Sequence, residues 1–163
     1  MFLLIVTVWK LKSPCFQWKQ KFFQKYLKRK GQNEANQEVS QIVGTFRPSW
    51  LVFENFIPKE HVNDLDNTQV LLTEFKSDIT NYGDGTFNSV VLAVTIQIFY
   101  GFNLSESMLL AEIALMEKLK DSGWLTISSE PHYLDVSTNT TKQQTKKNIT
   151  VEKIVEINEL KGE

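Results

Sequence analysis

One cysteine, two histidines, four prolines and seven glycines among 163 residues leave little room for several kinds of chemistry. A lone Cys15 excludes an internal disulfide and a multi-cysteine metal site, and it fits folding in a reducing compartment. So few glycines and prolines exclude a collagen-like chain or one of low complexity. Long hydrophobic runs are missing as well. The opening Met1–Trp9 is apolar but far too short to span a bilayer. No positive residue precedes it and no small-residue cleavage site follows, so it does not read as a signal peptide. It is expected to be a buried β-branched strand or an extension that docks on a neighbour, with no membrane role.

Acidic residues are absent from residues 1–30, which carry eight basic ones. The remaining chain holds ten basic against nineteen acidic residues, so the formal net charge of -1 joins a positive arm to an acidic body. Such an arm could meet nucleic acid, anionic lipid or the acidic surface of a neighbouring subunit, and charge alone does not choose among them. Aromatics interleave with the lysines here (Trp9, Phe16, Trp18, Phe22, Phe23, Tyr26), an arrangement that can grip single strands. Aromatics at helical spacing more often pack against protein, and the arm has one arginine, Arg29, where base readout usually relies on several. A protein contact through Lys21, Lys25, Lys28 and Arg29 is therefore favoured over nucleic acid.

What is present is the pattern of an ordinary globular core. Pro14 opens a basic amphipathic helix carrying Phe16, Phe23, Tyr26 and Leu27 that ends near Gly31. Val39, Ile42 and Val43 then form a short apolar stripe, with Gly44 as the stop. Trp50–Ile57 reads as a strand ended by Pro58, and Thr68–Phe75 as a second. A turn signal, Asn81-Tyr-Gly-Asp-Gly, leads into the strongest strand, Ser89–Tyr100. Both of its faces are apolar over the first half, so it should be central and covered on both sides there. Ser105 caps a helix with Glu106 in its first turn and Gly123 as its stop. Met108, Leu109, Ile113, Leu115, Met116 and Leu119 are its expected buried stripe. Short runs at Trp124–Ser128 and His132–Val136 precede a polar, mobile Ser137–Lys147. A half-buried last strand follows, with Lys153 the exception on its apolar side. The order implies one α+β domain overall, a mainly antiparallel sheet with helices on one face. Residues 1–44 form the basic arm and helical region, and 45–163 the body.

No reaction centre is expected. His61, Asp64 and Asp66 form a local polar cluster that reads as a solvated turn rather than a metal site. His132 and Asp135 lack a nucleophile. Asn81–Thr86 has two glycines but no Gly-Lys-Ser/Thr ending, and a strand follows where a phosphate loop needs a helix. No cofactor, metal or small-molecule substrate is expected. Glu112 stands out, because its spacing places a carboxylate inside an apolar stripe. Two readings are open: an edge position reaching water, or an ion pair or hydrogen bond across a subunit contact.

In order along the chain stand Val52-Phe-Glu-Asn-Phe-Ile-Pro-Lys-Glu60, Val70-Leu-Leu-Thr-Glu74, Tyr82-Gly-Asp-Gly-Thr-Phe-Asn88, Gln97-Ile-Phe-Tyr100, Glu112-Ile-Ala-Leu-Met116 and Gly123-Trp-Leu125. This series resembles a family of short tail-region proteins from siphophages and prophages of Gram-positive bacteria. The likeness spans about half of the chain and continues weakly through His132-Tyr-Leu-Asp135, while residues 1–13 have no counterpart in it. The resemblance implies a tail terminator (tail-completion protein) with a tail-terminator-like α+β fold and no catalysis. Such a subunit forms a homohexameric ring on the head-proximal end of the tail tube, meeting the major tail tube protein and the head-tail connector proteins. It would reside in the virion and, during assembly, in the host cytoplasm. A head-tail connector or neck protein is the alternative, and a nucleic-acid-binding module using the basic arm a second one. The expected interface residues are Lys21, Lys25, Lys28 and Arg29 of the arm, Tyr82, Asp84 and Phe87 of the glycine loop, and Glu112. The Asn81–Asn88 and Ser137–Lys147 segments are expected to supply contacts between proteins.

Overall fold

A computed structural model of the chain describes residues 34–83, 86–136 and 143–157. The basic arm, including Lys21, Lys25, Lys28 and Arg29, lies outside the described residues, as do Asp84 and 137–142. A helix, α1, covers described residues 34–46. After it come β1 (Leu51–Glu54), β2 (Gln69–Gly83), β3 (Thr86–Tyr100), α2 (Met108–Asp121), β4 (Leu125–Ser129), β5 (Tyr133–Leu134) and β6 (Thr145–Glu156). The strands form one sheet in the order β1-β2-β3-β6-β4, with β5 also pairing β6. Among the described residues only β1 runs parallel to its neighbour, and the other pairings are antiparallel. This is the expected α+β architecture.

Strict alternation explains why β3 lies at the centre. Val90, Leu92, Val94, Ile96, Ile98 and Tyr100 share one face, and all six are buried. The register sets Val155, Val151 and Ile149 of β6 and Val70 and Leu72 of β2 beside them, so three strands contribute one apolar face. Both helices anchor on that face. From α1, Glu38 receives an ion pair from Lys153 Nζ at 2.7 Å, and Lys153 lies opposite Leu92. From α2, Glu112 meets Tyr100 and Lys147. The second face of β3 is less covered than its composition suggests. Ala93 is buried there, but Val91, Thr95, Gln97 and Phe99 are half-exposed. Coverage on both sides therefore holds only in part.

Several boundaries differ from the sequence reading, each for a local reason. The compact unit holding the sheet begins at Ala35, so residues 35–44 are built into the body: Ala35, Val39 and Val43 are buried. Gly44 does not stop α1, which continues to residue 46. At β1 the end is Glu54 rather than Pro58, because Asn55 turns to φ 67, a left-handed conformation that asparagine tolerates. The largest difference is at the glycine loop. Asn81–Gly83 extend β2 and Thr86–Asn88 belong to β3, with Tyr82 opposite Phe87 and Gly83 opposite Thr86. Asn81 Nδ2 donates to Ser89 Oγ at 2.8 Å, and Ser89 in turn donates to Glu156 at 3.0 Å, tying three strands together near that end.

The polar segment before the last strand is also shorter than expected, since Thr145–Lys147 already belong to β6. Lys153, the exception on the apolar side, extends its stem near the Trp124 ring (Nζ 5.9 Å from the centroid) toward Glu38. α2 starts at Met108 with Ser107 as N-cap, and Ser107 makes no side-chain capping bond. Ser105 is therefore not the cap, and Glu106 is not in the first turn. Its carboxylate instead takes a two-pronged pair from Arg47, at 3.0 and 2.7 Å. The C-terminus is as expected. Gly123 at φ +86 allows its own N–H to reach Lys120 O and that of Trp124 to reach Leu119 O, a Schellman closure.

Candidate functional site

The buried face of α2 departs most from simple amphipathic spacing. Ala111, Glu112, Leu115 and Leu119 are buried, whereas Leu109 is 59% and Ile113 41% exposed. The expected stripe is thus corrected. The helix is rotated so that a carboxylate points inward and two large aliphatic side chains point out.

Glu112, 1% exposed, is satisfied from three directions. Tyr100 Oη donates to its Oε1 at 2.6 Å, and His132 Nε2 lies 2.6 Å from the same oxygen. A carboxylate only accepts, so the histidine proton sits on Nε2 in this arrangement. Lys147 Nζ stands 3.4 Å from Oε2 and is itself nearly buried. A buried carboxylate unpaired would be costly, and these partners remove that cost. Neither sequence-based reading of Glu112, as an edge position or as a pair across subunits, is needed: its partners are in its own chain. The cluster ties α2 to β3, to β6 and to the segment between β4 and β5. It is a clamp.

Burial, together with the Glu112 hydrogen bond and charge, pushes the Tyr100 hydroxyl above its ordinary pKa of 10.0. The sign follows: a group whose folded pKa is raised contributes stability below its unfolded pKa, and loses it as pH rises beyond. Unfolding measured from pH 8 to 11 should show wild-type stability declining above about pH 10. Tyr100→Phe should flatten that decline; an unchanged alkaline limb would dissociate it from Tyr100.

Other candidates are plainly placed. Asp64 accepts from the backbone N–H groups of Asp66 and Asn67 and, at 2.9 Å, from Asn67 Nδ2. These bonds, the Asn67 side chain first, hold its pKa below the usual carboxylate value. That is the local turn expected around His61. Among the described residues no group of three His, Cys, Asp or Glu is arranged to hold a metal, and no helix is long and apolar enough to cross a membrane. Phe87 is half-exposed, and the hairpin register brings it opposite Tyr82.

Sequence reasoning missed how many large apolar side chains are exposed on α2, β4 and β5. Of thirteen large apolar residues exposed among the described residues, eight fall between Leu109 and Val136. Leu109, Leu110 and Ile113 lie on α2, Leu125 and Ile127 on β4, and Tyr133, Leu134 and Val136 at β5. Leu109 lies one turn before Glu112 and Ile113 directly follows it, on the side of the helix away from buried Leu115. His132, a partner of Glu112, is itself partly exposed between β4 and β5. The register sets Leu125 beside Glu152 and Tyr133 beside Lys146, on the sheet face opposite α2, so these exposed side chains are shared between both faces of the sheet. A signal existed: Leu109-Leu110 and Ile113 make α2 apolar on more than one side.

No curated protein matches the chain. Residues 34–156 match the family described as protein of unknown function DUF806. That match takes in α1, the whole sheet and α2, and so most of the chain; the protein belongs to the DUF806 family.

Proposed function

We infer that the protein is a structural subunit of a long-tailed phage or prophage, a tail terminator acting as a ring at the head-proximal end of the tail tube. The geometric observation that carries an assembly role is the number of large aliphatic side chains left exposed on α2 and along the β4 edge. A monomer that buries Glu112 while exposing Leu109 and Ile113 keeps its aliphatic contacts for another protein. The kind of assembly rests on the resemblance of the ordered segments from Val52 to Trp124 to siphophage tail-region proteins. A ring of identical subunits requires a heterologous interface that closes. One face of the ring would then meet the major tail tube protein and the other the connector, with no catalysis or cofactor. The connector reading predicts similar size and symmetry but a different lesion when the protein is lost.

Immunogold labelling of intact virions tests the location. Antibody against the chain should mark the junction of head and tail. Label along the shaft, at the distal tip or nowhere on the particle would contradict the reading.

A further inference from the structure

Among the described residues the sheet has an open edge at each of its opposite ends. On one side β4 ends the strand order, and among the described residues no strand pairs with its outer edge. All five of its residues are exposed. Glu130 N–H points inward to Asn148 O at 3.0 Å, so alternation turns the N–H and C=O of Ser129 outward. Natural edge strands are usually blunted by lysine, proline, an inward charge, shortness or a bulge. Leu-Thr-Ile-Ser-Ser has no lysine, proline or inward charge, and its protection is limited to its five-residue length and the bulge at Ile127. A register shift at Ile127 leaves that side chain exposed beside the edge. On the other side β1 covers β2 only at Gln69–Leu72. From Thr73 to Asn81 the outer edge of β2 has no partner strand among the described residues; a bulge leaves Phe75 exposed there, and Lys76 pairs with Asp78 along the same stretch.

We propose that β4 of one copy pairs with the β2 edge of the next, so that the sheet continues head-to-tail between subunits. The occupant is a second copy because this chain itself supplies both halves of the pairing. Strand sense agrees. Three successive antiparallel pairings separate β2 from β4, so they run in opposite directions. Copies in the same orientation therefore meet in an antiparallel ladder. The edges differ, so the contact is heterologous, as ring closure demands. Burial of Leu125 and Ile127 at the joint adds apolar contact to the backbone bonds, in the manner of strand addition. Closure into a ring rests on the proposed terminator role; the pairing rests on the edges.

Light scattering after size exclusion tests it on the full chain. The double variant Leu125→Lys with Ile127→Lys, and the single variant Phe75→Lys, alter exposed residues and should keep the wild-type far-UV circular dichroism. Each should lose the oligomer and elute as a monomer. Their equimolar mixture should form dimers and nothing larger, because each copy retains one good edge. Ser129→Pro, which removes an outward donor, should reproduce the β4 result. Wild-type oligomer mass in these variants would overturn the edge pairing while leaving the ring reading standing. So would dissociation caused only by reversing Lys21, Lys25 and Lys28 to glutamate. Dimers of Phe75→Lys alone would overturn the head-to-tail sense, and a wild-type monomer at high concentration would overturn pairing and ring together.

Discussion

Glu112→Ala is expected to destabilise the fold by about 3–5 kcal/mol, the cost of breaking a buried ion pair from one side. Removing the carboxylate leaves Lys147 nearly buried without the anion 3.4 Å away. Tyr100 loses a 2.6 Å acceptor at the same time, and an unsatisfied buried hydroxyl adds to the loss. Glu112→Gln keeps an acceptor for Tyr100 but not the charge, so it should fall between wild type and alanine. Chemical denaturation at one fixed protein concentration measures all three, because assembly would otherwise shift apparent stability by mass action. An alanine variant within about 1 kcal/mol of wild type, the scale of a surface pair, would show that the cluster does not clamp α2. The exposed stripe should respond oppositely: polar substitutions at Leu109 should hardly change monomer stability.

A single methyl group at Gly101 should be nearly as damaging. Its Cβ would strike the backbone of Asp66 and stand 2.5 Å from the Asn67 carbonyl carbon and 2.7 Å from Thr68 N. These are main-chain atoms, so relief requires moving the segment itself. That segment is held on several sides. Phe102 N–H donates to Leu65 O, Leu51 N–H to Thr68 O, and Gly101 N–H to Thr68 Oγ1. Overpacking of this kind costs about 1–3 kcal/mol, and with so little freedom to relax the upper end is expected for Gly101→Ala. Thermal unfolding reads it directly, and a melting temperature equal to that of wild type would mean that the segment yields freely.

The strands were largely readable from the sequence, because period-two alternation in Val90–Tyr100 and Ile149–Val155 reflects burial on one face of a sheet. Gly123 was readable as a helix stop because the left-handed conformation there favours glycine. The phase of α2 was not. Spacing alone grouped Leu109 and Ile113 with Leu115, whereas the partners that admit Glu112 lie on a distant strand, in a loop and at the start of β6. Lys147 was assigned to a polar mobile segment for the same reason, since nothing local marks it as buried. The glycine loop misled differently: a turn signal locates a chain reversal but does not say how far the pairing runs toward it, and here it reaches Gly83 and Thr86. Of the residues expected at an interface, Glu112 is internal to the chain, while the β4 edge is not legible because Leu125–Ser129 lacks the lysine or proline that usually marks an edge strand.

Electron microscopy of lysates from a phage lacking this gene tests the terminator role most directly. The account predicts headless tails of irregular, excessive length, because nothing would stop the tube from growing. Tails of normal, uniform length detached from filled heads would contradict it and assign the protein to the connector instead.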